Sequence, residues 1–281
     1  MKAKDYAAKN YQTIKVVREG LILKISLNRP QVHNAFNIRM IEELLEVFRQ
    51  AQLDSLVRLV IFTGEGKSFC AGADLNWMRE IINYSFEQNL AESLRIAELL
   101  YQIYMLSKPV IALVNGSAIG GGVGFVSACD IILASEKAKF GLSEVKIGLV
   151  PAAISPYVVR RIGEAQARRY FLTGERVSAQ RALEIGLVNE VVTPEKLLSR
   201  GEEVASLLLS SGPEALARCK ELLSRVPGMA WEEAKQFTAR MIAKLRISQE
   251  GQEGMAAFLE KRAPRWVKNP SPGEESPGEE N

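Results

Sequence analysis

The chain is poor in the residues from which many catalytic centres are built. It holds one histidine, His33, so a Ser-His-Asp triad would have to use that residue, and no G-x-S-x-G elbow accompanies it. A histidine-rich zinc site is excluded. Cysteine occurs three times, at Cys70, Cys129 and Cys219, far apart and odd in number. That argues against a disulfide framework or a C-x-x-C centre and fits a reducing compartment. No apolar run reaches the roughly eighteen residues that a membrane span needs. Residues 1–10 are polar and mixed in charge, without the apolar stretch of a secretory signal, so the expected location is cytoplasmic. Nor does one sign of charge dominate. The 36 basic and 33 acidic residues leave a formal +3, too weak an excess to suggest a nucleic-acid protein.

What the chain does have is an ordinary globular composition, 47% hydrophobic and 25% charged over 281 residues. That length allows one large domain, or one domain plus a smaller helical unit. TIKVVR (13–18) and LILKISL (21–27) are aliphatic and β-branched and are separated by Glu19-Gly20, which predicts a hairpin. Asn37 stands where an N-cap belongs, ahead of Ile38, Ile41, Leu44, Leu45 and Phe48 at helical spacing. VRLVIFTG (57–64), Pro109 to Val114 and Asp130 to Ala134 read as buried strands, and 86–106 as a helix. Residues 177–188 read as a helix returning to strand. From about 195 the pattern is helical, over 195–210, 213–225, 230–248 and 251–261.

Three regions follow: an α/β core over 1–194, a C-terminal helical region over 195–264, and a tail over 265–281. The last eleven residues repeat SPGEE and offer nothing to bury, so the tail is expected to be disordered. Residues 271–281 carry four glutamates and no basic residue, so the chain without them stands at +7, a field compatible with guiding phosphates.

Two loops stand out. FCAGADL (69–75) puts Ala71, Gly72 and Ala73 between a strand and a helical stretch, where small side chains let a ligand approach the backbone. IGGGVGF (119–125) follows the strand PVIALV and should open a helix, whose first N–H groups are free and carry partial positive charge. Facing each other, such loops would supply paired donors for a developing oxyanion. Gly120, Gly121 and Gly122 read equally as a close packing contact. They do not fit G-x-G-x-x-G, so a dinucleotide site is not supported.

Five segments in order make the pattern specific: LNRPQVHNAFN (27–37), GEGKSFCAGADLNWM (64–78), residues 108–151 from KPVIALVNG to KIGLVP, LTGERVSAQRALEIGLVNEVV (172–192) and EGMAAFLEKRAP (253–264). Over about residues 12–264 the chain resembles the crotonase family, the enoyl-CoA hydratase/isomerase superfamily. FCAGADLNWM and SEVKIGLVPAAISPYVVRRIGE are similar to the methylglutaconyl-CoA hydratase branch. The resemblance implies a spiral of repeated ββα units followed by a helical trimerisation region, and a homotrimer or dimer of trimers. It also implies an acyl-CoA substrate, a thioester enolate intermediate, and no cofactor or metal beyond the coenzyme A of the substrate.

By resemblance, Ala73 and Gly121 supply the oxyanion N–H groups and Glu144 is the acid/base. Apolar flanks Phe140, Leu142, Val145 and Ile147 would bury Glu144 and raise its pKa. The first glutamate of typical hydratases is missing, because Gly124 occupies its place. The position of the second acid of dienoyl-CoA isomerases is Ala152. One carboxylate suits a 1,3 proton shift, or a hydration in which the substrate's own carboxylate or another side chain holds the water.

Ala35, Ala71, Gly72, Asp74, Leu75, Asn76, Phe258 and Lys261 match positions where the family meets coenzyme A and substrate. Phe258 reads alternatively as helix packing and Lys261 as a solvated side chain. Asp74 reads as a helix-start cap. His33 is expected in a loop near Asn37 or beside the coenzyme A channel, and Trp77 and Met78 in the core or at the acyl pocket. The readings that remain are a hydratase, a single-glutamate isomerase, and an RNA-binding or scaffold protein on the same fold. The last would want a basic helix, whereas the positions expected to be exposed on helix 38–50 are Arg39, Glu42, Glu43, Glu46 and Arg49.

Overall fold

The computed structural model describes residues 10–267. Strands β1 (Ile14–Glu19) and β2 (Ile22–Leu27) form the expected antiparallel hairpin, with Ile14 opposite Leu27. Asn37 caps α1 (Ile38–Leu53) by accepting a hydrogen bond from Met40 N. The chain then repeats one order. β3 (Leu59–Gly64) and β4 (Ser68–Cys70) lead into α2 (Leu75–Ile81) and α3 (Phe86–Met105). β5 (Val110–Val114) and β6 (Ser117–Ile119) lead into α4 (Gly121–Ala128). β7 (Ile131–Ser135) and β8 (Lys139–Gly141) lead, through a 3-10 turn over Glu144–Ile147, into α5 (Ser155–Thr173). β9 (Arg176–Ser178), α6 (Ala179–Glu184) and β10 (Glu190–Val192) follow.

The first strand of each repeat enters a six-stranded sheet ordered β1-β2-β3-β5-β7-β10. The second enters a four-stranded sheet ordered β4-β6-β8-β9. β3, β5 and β7 are parallel neighbours, as are β4, β6 and β8, so each step requires a crossover, which the helices supply. This is the ββα spiral. Because both faces of the large sheet are covered, VIALV of β5 is buried at every position, which explains its apolar run in place of an alternating pattern.

Helix α1 corrects one expectation. Arg39, Glu42 and Arg49 are exposed, but Glu46 is half-buried and Glu43 is only 8% exposed. The Glu43 carboxylate accepts from Gln12 N and Thr13 N, both at 2.9 Å, from Thr13 Oγ1 at 2.5 Å and from Arg39 Nε at 3.2 Å. It ties the chain entering β1 to α1. Burial by itself would raise its pKa; the hydrogen bonds outweigh that and hold it below the ordinary value.

The C-terminal helices are α7 (Leu197–Leu209), α8 (Pro213–Arg225), α9 (Trp231–Ile247) and α10 (Gln249–Leu259). The chain divides into two compact units after Ala205, inside α7 and later than the expected boundary at 194. The start of α7 stays with the first unit because Gly201 lies against Leu113, whose side chain a Cβ there would meet at 2.8 Å. Within the second unit, Glu250 accepts from Glu214 N and Ala215 N at the start of α8. Arg265–Val267 form a 3-10 turn, and Trp266 Nε1 donates to Ser210 O at 3.0 Å. These three residues therefore depart from the disorder expected over 265–281; the remainder of that tail lies outside the described residues. Among the described residues no helix is long and apolar enough to cross a membrane.

Substituting Glu43→Ala leaves the Gln12 and Thr13 donors without their acceptor and should cost about 2–3 kcal/mol in urea unfolding at neutral pH. The folded pKa of Glu43 is depressed, so its contribution is present above the unfolded carboxylate value of about 4.3 and is lost as pH falls below it. The gap between wild type and Glu43→Gln should therefore narrow in acid. An equal gap at neutral and acid pH would contradict this role.

Candidate active site

β4 and β6 are parallel neighbours, with Cys70 opposite Ala118, so the loops leaving their C-terminal ends lie side by side. The first is Ala71–Asp74 and the second is Gly120–Gly121. A Cβ on Gly72 would sit 3.2 Å from Ile119 O, and one on Gly122 would sit 2.6 Å from Cys70 O. The glycine triplet is thus a close packing contact, as one reading of the sequence had it.

That packing also shapes a site. Phe36 N donates to Gly72 O at 2.9 Å, and Asp74 N donates to Phe36 O at 2.8 Å, a one-residue parallel bridge from Phe36 to Ala73. In a parallel ladder the bridged residue turns its own N–H and C=O to the other side. The Ala73 N–H therefore faces away from Phe36, and it donates to no group among the described residues. Gly121 is the first residue of α4, where an N–H has no partner within the helix. A Cβ on Gly121 would lie 2.6 Å from Phe36 Cε1, so the Phe36 ring rests directly on Gly121. One residue thus touches both halves of the expected oxyanion site. The ring is itself held edge-on by Trp77 and Phe125, at centroid distances of 5.7 and 5.5 Å.

Glu144 opens the 3-10 turn that follows β8. Its Oε1 lies 3.2 Å from where a Cβ on Gly120 would stand, and Gly120, at φ +53°, is a position that favours glycine. The carboxylate is therefore beside the residue that precedes Gly121. Its Oε2 is buried and has no hydrogen-bond partner among the described residues. Burial pushes the Glu144 pKa up, as its buried neighbours Phe140 and Leu142 led us to expect, although Ile147 turns out to solvent. A buried, unpartnered carboxylate oxygen is costly, and such groups gather at functional sites.

The other expected positions separate. Ala35, Gly72 and Asp74 are buried, whereas Ala71, Leu75 and Asn76 are exposed along the rim of the first loop. Asp74 caps α2 by accepting from Asn76 N, as expected. In the second unit, Phe258 is 83% exposed, so it is not helix packing, and Lys261 is exposed. His33 is a loop residue at φ +53° whose Nδ1 is 3.1 Å from Ser68 Oγ. Trp77 is core, with Nε1 donating to Glu92 at 3.0 Å.

Sequence reasoning missed Ile154. A Cβ on Gly124 would stand 2.2 Å from Ile154 Cγ2 and 2.9 Å from Ile154 Cβ. The space into which a glutamate at 124 would project is filled by a buried isoleucine at the start of α5. The first carboxylate is absent, and an apolar side chain has taken its room.

Comparison with known proteins identifies the family of the chain. The family model "Enoyl-CoA hydratase/isomerase" matches residues 18–269. The short-chain-enoyl-CoA hydratase of Clostridium acetobutylicum is 34% identical over 258 residues, 90% of this chain and 96% of that protein. The 2,3-dehydroadipyl-CoA hydratase of Escherichia coli is 32% identical over 252 residues, 89% of this chain and 96% of that protein. The crystal structure of an enoyl-CoA hydratase from Shewanella pealeana superposes with a TM-score of 0.89 at 40% identity, covering 91% of this chain and 96% of that one. The chain belongs to the enoyl-CoA hydratase/isomerase family.

The Ile154 contact predicts an asymmetry. Gly124→Glu alone should overpack the α4–α5 contact, lower stability by about 1–3 kcal/mol and bring no crotonyl-CoA hydration. Adding Ile154→Gly should recover stability and let the new carboxylate act. Thermal unfolding and initial rates on both variants check it, and a stable, active single variant would contradict it.

Proposed function

We propose that this family member is a hydratase of 2-enoyl-CoA thioesters whose acyl group carries its own carboxylate, 3-methylglutaconyl-CoA or a close analogue. The observation that carries the reading is the pair Glu144 and Ile154: one half-buried carboxylate with a buried, unpartnered Oε2 is kept, and the room for a second is filled with hydrocarbon. In this reading the thioester oxygen accepts from Ala73 N and Gly121 N, and α4 adds the partial positive charge of its N-terminus. Water adds its oxygen to the β-carbon while Glu144 takes one water proton. The electrons of the double bond move to the thioester oxygen as an enolate. Protonated Glu144 then returns that proton to the α-carbon, which leaves a 3-hydroxyacyl-CoA and an ionised Glu144. Loss of one such oxyanion donor typically costs about 10²–10³ in rate.

The apolar wall at Gly124 and Ile154 cannot hold the water, so the substrate's distal carboxylate does so. A relative named for 2,3-dehydroadipyl-CoA, a thioester with a second carboxyl group, supports such a substrate. The same single carboxylate also serves a 1,3 proton shift, and the absence of a carboxylate at Gly124 favours an enoyl-CoA isomerase as the second reading. The reaction calls for no metal or cofactor beyond the coenzyme A of the substrate. Trp231, Leu223, Ile247, Phe258 and Leu259 are all more than 70% exposed on the C-terminal helices, which supports assembly as a homotrimer or dimer of trimers. The three free cysteines suit a cytoplasmic location.

Turnover of 3-methylglutaconyl-, crotonyl- and 3-enoyl-CoA in heavy-oxygen water separates the readings. We expect label in the product of the first, little turnover of the second, and loss of activity in Glu144→Gln. Double-bond migration without label would establish the isomerase instead. Glu144 must be ionised to accept the water proton, and its pKa is raised. kcat/KM should therefore fall with decreasing pH along a limb lying above the ordinary carboxylate range of about 4.3. A flat profile down to that range would remove Glu144 from the mechanism.

A further inference from the structure

Arg29 has no part in the chemistry above, yet it ties the loop that presents Ala73 to the loop before Phe36. It stands just beyond β2, with a side chain 17% exposed. Its Nη2 is 2.7 Å from Asp74 Oδ2, and its Nη1 donates to Ala35 O at 2.7 Å. Its backbone N–H donates to Asn34 Oδ1 at 2.8 Å. Asp74, with a side chain 6% exposed, also accepts from Asn76 N at 2.8 Å. The guanidinium therefore holds the residue before Phe36 and the residue after Ala73 at the same time.

The bridge has one neighbouring rung, Ala71 N donating to His33 O at 3.0 Å ahead of it, and no backbone rung beyond Asp74 among the described residues. Phe36 and Ala73 are joined by two backbone hydrogen bonds, and nothing in that pair alone sets the tilt of the Ala73 peptide. Two parallel prongs from one planar cation do set it, because Ala35 and Asp74 are then held at a fixed separation. Burying an ion pair is a poor route to stability, since desolvation offsets most of the attraction. Burial by itself would raise the Asp74 pKa, yet Arg29 and the backbone N–H groups hold it below the ordinary value, so the pair stays ionised at neutral pH.

We propose that Arg29 is a positioning residue: by bracing Ala35 and Asp74 it aims the Ala73 N–H at the thioester oxygen. The proposal rests on the oxyanion role given to Ala73. A misplacement of about 1 Å at a reacting centre can cost about 10²-fold in rate. Replacing Arg29 should therefore act mainly on kcat, where transition-state contacts are felt, and little on KM.

The test uses the full-length protein and carbonyl-labelled butanoyl-CoA, a saturated thioester that cannot be hydrated. Its carbonyl stretch, read by infrared difference spectroscopy, falls in frequency when two N–H groups polarise the oxygen. We expect the downshift in wild type, a smaller one in Arg29→Gln, and an intermediate one in Arg29→Lys, which keeps the charge but loses the fork. kcat should follow the same order, falling about tenfold to a hundredfold in Arg29→Gln. Asp74→Asn keeps the α2 cap and a neutral acceptor for Arg29, and serves if Arg29→Gln folds poorly; its downshift should also shrink. If folded Arg29→Gln or Asp74→Asn keeps the full downshift and the wild-type kcat, Arg29 is purely structural and the proposal fails alone. If wild type shows no downshift with the thioester bound, the oxyanion site fails and the proposal falls with it.

Discussion

The backbone bridge between Phe36 and Ala73 is the contact on which the site depends. It joins a loop after the N-terminal hairpin to a loop inside the first ββα repeat, and it turns the Ala73 N–H outward. The same residue lays its ring on Gly121, at the start of the helix in the second repeat. Neither N–H has a partner among the described residues. Ala73 and Gly121 are both half-buried, so their N–H groups remain open to an acceptor from water or a bound ligand. The spiral makes this arrangement possible. Parallel pairing of β4 with β6 brings two strand ends to one edge, and glycine on both loops lets the backbones interlock.

Beside these donors stands a carboxylate in an apolar setting. Burial favours protonated Glu144, outweighing the hydrogen bond from its own backbone N–H, and its Oε2 has no partner among the described residues. A group poised in this way can take a proton and return it at modest cost, which one-carboxylate hydration and isomerisation both need. Ile154 makes the difference from a two-carboxylate site one of shape as well as charge. Restoring a glutamate at 124 requires clearing its space first. In the proposed function, the acyl group brings the polar contact that the wall lacks.

Much of this was legible in the sequence. The hairpin, the Asn37 cap and strands β3, β5 and β7 showed themselves through alternating or continuous apolar runs. The motif segments pointed to Ala73, Gly121 and Glu144 before any geometry was known. Strands β4, β6, β8 and β9 escaped because each has three residues, too few for periodicity to register. Helix α5 escaped as well: its pattern is charged and is interrupted at Gly163, where φ is +71°. Glu43 looked solvated because its partners, Gln12 and Thr13, lie thirty residues away. Ile154 meets Gly124 and Arg29 meets Asp74 across long stretches of sequence, and no local pattern announces such a contact.

The central claim is that Ala73 and Gly121 stabilise an enolate while Glu144 alone moves the proton. Its most direct measurement is the exchange of the α-hydrogens of butanoyl-CoA in deuterated water, followed by NMR, because this requires the enolate and the base but no hydration. The account predicts exchange catalysed by the wild-type protein and abolished in Glu144→Gln. Exchange that persists in Glu144→Gln, or wild-type protein that binds the thioester without any exchange, would contradict it.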